Sequence, residues 1–417
     1  MDLLIENRRA SETRIDRNIY LAVVSFILLA PIASGLRGFS SGFGRLGIGA
    51  TDLIFITTFL MCFLRRTKSI ILYLIIYMLI YSFVVAVAAQ PYPDLFVAYQ
   101  GIRKSLMWLM AIFIGSVLSI EYRSKILFWV LVSCTIVCAY GVKQYFAIGE
   151  FDQQLLAAQS ASEYANKISG ATRATSVLSS GFHLGMAGCL VIAIILFDER
   201  PNTIFRCVLL GIAAFAIYAS LTRTFLIISL MLLIGKLVGR NLPRVYYISV
   251  FVVLIILLCA CFDLDVLGGI IDAVLDDSRF LNRGESYVQF LEFMKASPSA
   301  LLLGFGPGSA GSTLGTDFID IGAAWIEPHN IFLKYTFEFG AIVTIILVIL
   351  ITQTVLKDRT GKGLVSLSSS LLFIVTVSGL TITSVEAWPI TLYIGFIIGC
   401  SVPFNSSLQF SGSVDNG

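Results

Sequence analysis

A histidine, an asparagine and two charged residues lie at the start of a strongly apolar run. Residues 325–340 read "WIEPHNIFLKYTFEFG", and "AIVTIILVILITQTVL" follows directly. His329 is one of only two histidines among the 417 residues. A neutral imidazole accepts a proton near neutral pH, so His329 is a candidate general base. Asn330, Lys334 and Glu338 are candidate supporting residues, although Lys334 and Glu338 have the spacing of an ordinary ion pair on one helix face.

Four arginines beside apolar segments are candidates for binding anionic oxygen groups. Arg223 lies in "SLTRTF" between two apolar runs, and Arg173 lies in "SGATRATSVLSSGFHLG" before another. Arg279 and Arg283 lie in "DDSRFLNRGESYVQF". A guanidinium near apolar surroundings is costly and usually has an anionic partner or a function. Two alternatives stay open: Arg223 can be an interfacial anchor, and the last two arginines can pair with neighbouring carboxylates.

A glycine-rich loop precedes the histidine motif. In "LLLGFGPGS", Gly304, Gly306 and Gly308 allow either a plain turn or a loop whose backbone N–H groups approach a phosphate. The Gly-Lys-Ser/Thr sequence of a nucleotide-binding P-loop is missing. Two histidines far apart in sequence form no cluster of metal ligands, so we expect neither a metal nor a cofactor.

The composition places these residues in a membrane protein. The chain is 57% hydrophobic and 13% charged, whereas soluble domains have about 25% charged residues. Its mean hydropathy is +0.88. Unbroken apolar runs recur, each long enough to cross about 30 Å of hydrocarbon as a helix. The sequence therefore predicts an all-α, polytopic integral membrane protein.

The apolar runs predict about twelve transmembrane helices and a large periplasmic loop before the tenth. The predicted spans are 19–35, 48–64, 69–88, 105–120, 126–146, 181–197, 203–220, 224–239, 245–262, 329–354, 366–384 and 386–402. The predicted organisation is a cytoplasmic segment 1–18, helices one to nine over 19–262, a periplasmic loop 263–328, helices ten to twelve over 329–402, and a cytoplasmic tail 403–417.

The distribution of basic residues orients the chain. More than half of the 29 Lys and Arg residues lie in the short segments that share a side with the N-terminus. Because cytoplasmic loops are enriched in Lys and Arg, we expect both termini in the cytoplasm. All the candidate residues above then lie on the outer side.

Three segments together resemble the bacterial O-antigen ligase and polymerase superfamily (WaaL-like ligases and Wzy-like polymerases). The family pattern His-Asn-x-x-Leu followed by Glu-x-Gly is matched from His329 to Gly340. The family's arginine at a helix start is matched by Arg223, and its loop arginine before a glycine turn by Arg283. The segment around Arg173 resembles another family segment loosely.

The resemblance implies glycan transfer from an undecaprenyl-diphosphate carrier to an acceptor hydroxyl at the periplasmic face of the bacterial inner membrane. It implies that Arg223 and Arg283, with Arg173 and Arg279, bind the diphosphate and that His329 is the general base of an inverting, metal-independent transfer. The expected partners are the lipid-linked oligosaccharide donor, a lipid-linked or lipid A–core acceptor, membrane lipids and a chain-length regulator. No nucleic acid is expected.

Several functions stay open at this point. A polymerase joins one lipid-linked glycan to another, and a ligase uses lipid A–core as its acceptor; the "LLLGFGPGS" loop favours the polymerase. A flippase or transporter predicts charged residues at mid-membrane depth, where the predicted spans are nearly free of charge. A membrane scaffold is a further alternative.

Overall fold

The part of the chain that the structure describes is mostly helical. The computed structural model describes residues 2–65, 69–88, 95–159, 167–168, 171–197, 203–238, 298–310, 330–357, 364–381 and 386–401. Its helices are α1 Asp2–Gly35, α2 Ser41–Arg65, α3 Ile70–Ala88, α4 Leu95–Val117, α5 Ile120–Phe146, α6 Glu150–Gln159, α7 Gly181–Phe197, α8 Thr203–Ala219, α9 Arg223–Val238, α10 Pro298–Leu303, α11 Ile331–Lys357, α12 Leu364–Thr381 and α13 Ile390–Ser401. A two-residue antiparallel ladder joins β1 Lys167–Ile168 to β2 Ala171–Thr172.

The all-α prediction is confirmed, with differences in the bounds of individual helices. Every predicted span except 245–262 falls on a described helix, and that span lies outside the described residues. The loop 263–328 is described only over 298–310, which contains the short helix α10. The last predicted span begins at 386, but α13 begins at Ile390 after a turn that contains Pro389. The number of spans stays a prediction.

Four helices among the described residues are long and apolar enough to cross a bilayer. They cover Arg14–Gly35, Gly42–Arg65, Glu121–Phe146 and Ile331–Leu350, and several shorter helices are also apolar. Large apolar side chains such as Leu60, Phe83, Ile136 and Ile234 are exposed along the helices. Surfaces of this kind suit contact with hydrocarbon rather than water. These features indicate a protein embedded in a membrane.

Glycines bring α4 and α13 into close contact. A Cβ atom at Gly399 would lie 2.1 Å from the Ile112 carbonyl oxygen, and one at Gly115 would lie 2.3 Å from the Phe396 carbonyl oxygen. Small residues at such positions let membrane helices approach at backbone distance. The two helices run in parallel, so the beginning of α4 lies beside the turn that precedes α13.

Contacts also group the residues that the sequence assigns to the cytoplasmic side. Arg65, at the end of α2, hydrogen-bonds and forms an ion pair with Asp16 in α1. The Lys236 ammonium near the end of α9 lies 5.3 Å from the centroid of the Phe197 ring at the end of α7. This grouping is what the predicted topology requires. Which membrane face the grouped residues occupy stays a prediction.

Candidate functional site

The turn between α8 and α9 binds the side chain of Arg173 and leads directly into Arg223. Arg173 Nε donates to the Ser220 carbonyl oxygen over 2.7 Å, and Arg173 Nη2 donates to Thr222 Oγ1 over 2.5 Å. Arg223 follows Thr222 directly, begins α9, and is exposed. The sequence alone placed these arginines fifty residues apart without linking them. The structure therefore places the Arg173 guanidinium on the turn that leads into Arg223.

The beginning of α7 adds a helix N-terminus to the same place. The Arg173 guanidinium packs so closely on Gly181 that a Cβ atom there would lie 2.3 Å from Arg173 Nε. Burial lowers the pKa of Arg173, although an arginine stays protonated in proteins. A helix N-terminus carries partial positive charge and accommodates anions. The Arg173 guanidinium at the start of α7 therefore adds a positive charge to the partial positive charge of this helix N-terminus.

The predicted ion pair between Lys334 and Glu338 exists, but it is buried rather than interfacial. Both side chains are 0% exposed, and Lys334 Nζ lies 3.3 Å from Glu338 Oε1. Lys334 also forms an ion pair with Glu386, whose side chain is 8% exposed. Glu338 accepts hydrogen bonds from the Ser105 hydroxyl at 2.5 Å and from the Gly308 N–H at 2.9 Å. This cluster joins α4, the glycine loop, α11 and the turn before α13.

The glycine loop packs against a break in α11, and three N–H groups of the loop donate hydrogen bonds to α11. Helix α11 is interrupted at Gly340, where φ is +83°. The N–H groups of Phe305 and Gly306 donate to the Phe337 and Glu338 carbonyl oxygens at 2.7 and 2.9 Å. The N–H of Gly308 is already bound to the Glu338 side chain. Of the two interpretations of this loop, the structure therefore favours a turn over a cradle for phosphate.

Asn330 caps the helix that follows the histidine motif. Its side-chain oxygen accepts hydrogen bonds from the Phe332 and Leu333 N–H groups at 2.8 and 3.2 Å. An asparagine in this position satisfies backbone donors that the first helical turn leaves open. The oxygen of Asn330 thus fixes the start of α11, the helix that also carries Lys334 and Glu338. The predicted base His329, like Arg279 and Arg283, lies outside the described residues.

A second charged group lies between α2 and α4. Arg103 Nε donates to Asp52 Oδ2 over 2.6 Å, and the two side chains are only 9% and 3% exposed. The Tyr99 hydroxyl donates to the same carboxylate oxygen over 2.9 Å. The Arg103 guanidinium lies over the Trp388 ring, 5.0 Å from its centroid. Helix α2 extends further toward the N-terminus than its predicted span, which places Asp52 near the middle of the helix.

His183 connects these groups electrostatically. The charges of Glu386, Arg37, Arg173 and Lys104 are all near enough to influence it. Ser179 Oγ lies 2.6 Å from His183 Nδ1 and fixes the orientation of the ring. Lys104 is in turn influenced by Glu386, Lys334, Arg103 and Glu338. Side chains from the predicted outer loops 36–47, 89–104 and 147–180, and from the adjoining helix ends, therefore lie near one another.

An apolar groove adjoins the same region. It lies between the first half of α11 and α12 and includes Ile331, Phe332 and Tyr335 on one side and Leu372 and Val375 on the other. Ile331 follows the capping residue Asn330 directly. The groove therefore begins where the polar end of α11 meets the apolar bundle.

Some charged residues of this region were not predicted as site residues, although the sequence around them is unusual. Asp52 is the only charged residue in "LGIGATDLIFITTFLMCFL", residues 46–64. Arg103 and Lys104 stand together just before a predicted span. A charged residue within an apolar run usually has an oppositely charged partner in the folded protein. The pairing of Asp52 with Arg103 and of Lys334 with Glu386 has no counterpart in sequence spacing.

Comparison of the chain with protein-family models, with curated proteins and with solved structures finds no match.

Proposed function

We propose that this protein transfers glycans within the membrane, joining undecaprenyl-diphosphate-linked repeat units into O-antigen or exopolysaccharide at the periplasmic face. The observation that carries the proposal is the Arg173 guanidinium bound to the turn that leads into Arg223, beside the N-termini of two apolar helices. Such a place fits an anionic group that belongs to a membrane-anchored molecule. A lipid diphosphate has this combination of charge and apolar anchor.

The proposed reaction uses the carrier lipid as the leaving group. The acceptor hydroxyl attacks the anomeric carbon of the donor sugar, and the bond between that carbon and the phosphate oxygen breaks. His329 takes the hydroxyl proton, which contributes on the order of 10²–10⁴ in rate. Negative charge then grows on the departing diphosphate, and arginines hold it through charge-assisted hydrogen bonds. Attack opposite the leaving group inverts the configuration at the anomeric carbon.

Two described features support the proposed placement of substrate. The apolar groove that includes Ile331 offers a contact surface to the isoprene chain of a carrier lipid, because it is lined mostly by apolar side chains. The buried cluster of Lys334, Glu338 and Glu386 fixes the start of α11, the element that follows His329 in sequence. A positioned base needs a rigid support of this kind.

A lipid-linked glycan flippase is the second candidate function. Asp52 lies near the middle of α2 and is paired with Arg103 inside the bundle. Buried charged residues in membrane helices are found along the pathways of transporters. A flippase moves the lipid-linked unit across the membrane without breaking the sugar–phosphate bond, which distinguishes it chemically from a transferase.

Deletion of the gene and analysis of surface glycan on a gel test the proposal. Loss of polymerase activity leaves a lipid A–core that carries a single repeat unit. Loss of ligase activity leaves a bare core while long chains remain on the carrier lipid. Loss of a flippase leaves single units on the carrier, without chains of any length. His329→Ala should reproduce the polymerase phenotype with normal protein in the membrane, and normal glycan chains in that variant would refute the proposed mechanism.

A further inference from the structure

Three buried hydrogen-bonding atoms without partners meet in one group of side chains. Arg103 is paired with Asp52 through Nε and lies over Trp388. Within the described part of the chain, Arg103 Nη2, Asp52 Oδ1 and Trp388 Nε1 are each buried and lack a hydrogen-bond partner. Buried polar atoms in folded proteins nearly always have such partners. Two donors and one acceptor on adjoining side chains therefore have unused hydrogen-bonding capacity.

The charge of this group favours an anion over a neutral molecule. Arg37, in the turn after α1, is near enough to Arg103 for the two positive charges to influence each other. Burial and the Arg103 charge together lower the pKa of Arg37. Asp52 supplies one negative charge against these two positive charges. Among the described residues no ion pair to Arg37 is formed, so the group carries an excess of positive charge.

The local packing fits a prepared site. The Arg37 side chain crosses Gly44 so closely that a Cβ atom there would lie 2.4 Å from Arg37 Cγ. The four side chains come from four separate elements: the turn after α1, α2, α4 and the turn before α13. Trp388 lies two residues after Glu386, which forms an ion pair with Lys334. The group is therefore adjacent to the buried cluster of the candidate site.

We propose that Arg37, Asp52, Arg103 and Trp388 form a subsite for an anionic oxygen group with a neighbouring hydroxyl, as on an acidic sugar. The anionic oxygens accept hydrogen bonds from Arg103 Nη2 and Trp388 Nε1, and the hydroxyl donates to Asp52 Oδ1. Arg37 supplies the balancing charge. The headgroup of phosphatidylglycerol offers the same chemistry. The role of this subsite in selecting the glycan rests on the proposed function, whereas binding itself does not.

Thermal unfolding of the purified full-length protein in detergent tests the subsite with three probes. These are sodium glucuronate, phosphatidylglycerol in mixed micelles, and glucose as a neutral sugar. A molecule that binds only the folded protein raises its unfolding temperature with increasing concentration. We expect glucuronate or phosphatidylglycerol to do so and glucose to have no effect. Stabilisation by glucuronate alone identifies a sugar site, and stabilisation by phosphatidylglycerol alone identifies a lipid site.

Two variants and a matched control locate the binding. Trp388→Phe keeps an aromatic ring beside Arg103 and removes one donor, and Arg37→Gln removes one charge. Each should weaken the apparent affinity for the active probe at least ten-fold. Trp129→Phe removes an indole donor that binds Tyr20 elsewhere and should leave the affinity unchanged. The proposal is overturned if neither anionic probe stabilises the protein, which would leave water alone at the three atoms. It is also overturned if both site variants bind as well as the control.

Glycan transfer measured on the same preparations separates this inference from the proposed function. Probe binding that depends on Trp388, in a protein without transfer activity, would refute the proposed function and keep the subsite. Transfer activity in a protein that binds none of the anionic probes would keep the function and refute the subsite.

Discussion

Replacing Lys334 with methionine tests whether the buried charge cluster holds the end of α11 in place. Lys334 is the cation between two carboxylates, those of Glu338 and Glu386, and all three side chains are almost completely buried. Methionine has a similar length and fills the space without the charge. The substitution therefore leaves two buried carboxylates without the ammonium that lies between them.

The expected loss of stability follows from the geometry. At 3.3 Å, the attraction between Lys334 Nζ and Glu338 Oε1 is roughly 5 kcal/mol for an effective dielectric constant of about 20. Removal of one partner from a buried pair generally costs about 3–5 kcal/mol, because the remaining charge is uncompensated. We therefore expect Lys334→Met to lower the unfolding free energy by about 3–5 kcal/mol.

A double variant separates loss of charge balance from loss of packing. Glu338→Gln removes one of the two uncompensated charges. The glutamine oxygen still accepts from the Gly308 N–H, and its amide donates to Ser105 Oγ. Lys334→Met combined with Glu338→Gln should therefore be more stable than Lys334→Met alone.

Thermal unfolding of the detergent-solubilised protein, followed by intrinsic fluorescence, measures these differences. Lys125→Met is the control, because Lys125 and its partner Glu121 are 49% and 71% exposed, and it should change nothing measurable. The reasoning fails if Lys334→Met unfolds at the wild-type temperature, or if the double variant is no more stable than the single one.

Three further predictions concern the elements around the site. The Asp152 carboxylate is buried, which raises its pKa, but its hydrogen bonds to Lys143 and neighbouring groups outweigh burial and lower the pKa overall. The ionised Asp152 carboxylate therefore stabilises the folded protein above its usual pKa of about 4, and this stabilisation is lost as pH falls through the lower folded-state pKa. Asp152→Asn should therefore lower the unfolding temperature at neutral pH and have the wild-type unfolding temperature in acid. An equal difference in unfolding temperature at both pH values would contradict this. Gly340→Ala should greatly reduce the yield of folded protein in size-exclusion chromatography, because its φ is +83° and its Cβ atom would lie 2.0 Å from the Leu302 carbonyl oxygen; normal yield would refute the break in α11. Arg173→Lys should reduce glycan chain length on a gel, because a single ammonium nitrogen does not reproduce the planar fork that binds the turn through Nε and Nη2. Wild-type chains in this variant would remove Arg173 from the site.

The helices could be predicted from sequence because hydrophobicity decides them locally. A run such as 181–197 is apolar on every face, and α7 has the same bounds. The interruption of α11 could not be located in this way, since "FEFGAIV" continues the apolar run through Gly340. A glycine is required at position 340 because the backbone of the 298–310 segment packs directly against it, and this contact is visible only in the structure.

Only those residues of the candidate site whose type alone indicates a function could be predicted from the sequence. Arg173 and Arg223 were recognised individually, but the binding of Arg173 to the turn before Arg223 depends on the packing of α7, α8 and α9. The role of Asn330 as a helix cap was open to sequence reasoning, because an asparagine before an apolar helix has that preference. The pairing of Asp52 with Arg103 joins residues on two helices, and no periodicity within either helix predicts it.

The most direct test of the account is transfer by the purified protein in liposomes that contain an undecaprenyl-diphosphate-linked oligosaccharide. We expect longer lipid-linked chains and release of undecaprenyl diphosphate with the wild-type protein, and neither product with His329→Ala or Arg223→Lys. Movement of intact lipid-linked units across the bilayer without chain growth, or equal transfer by His329→Ala, would contradict it.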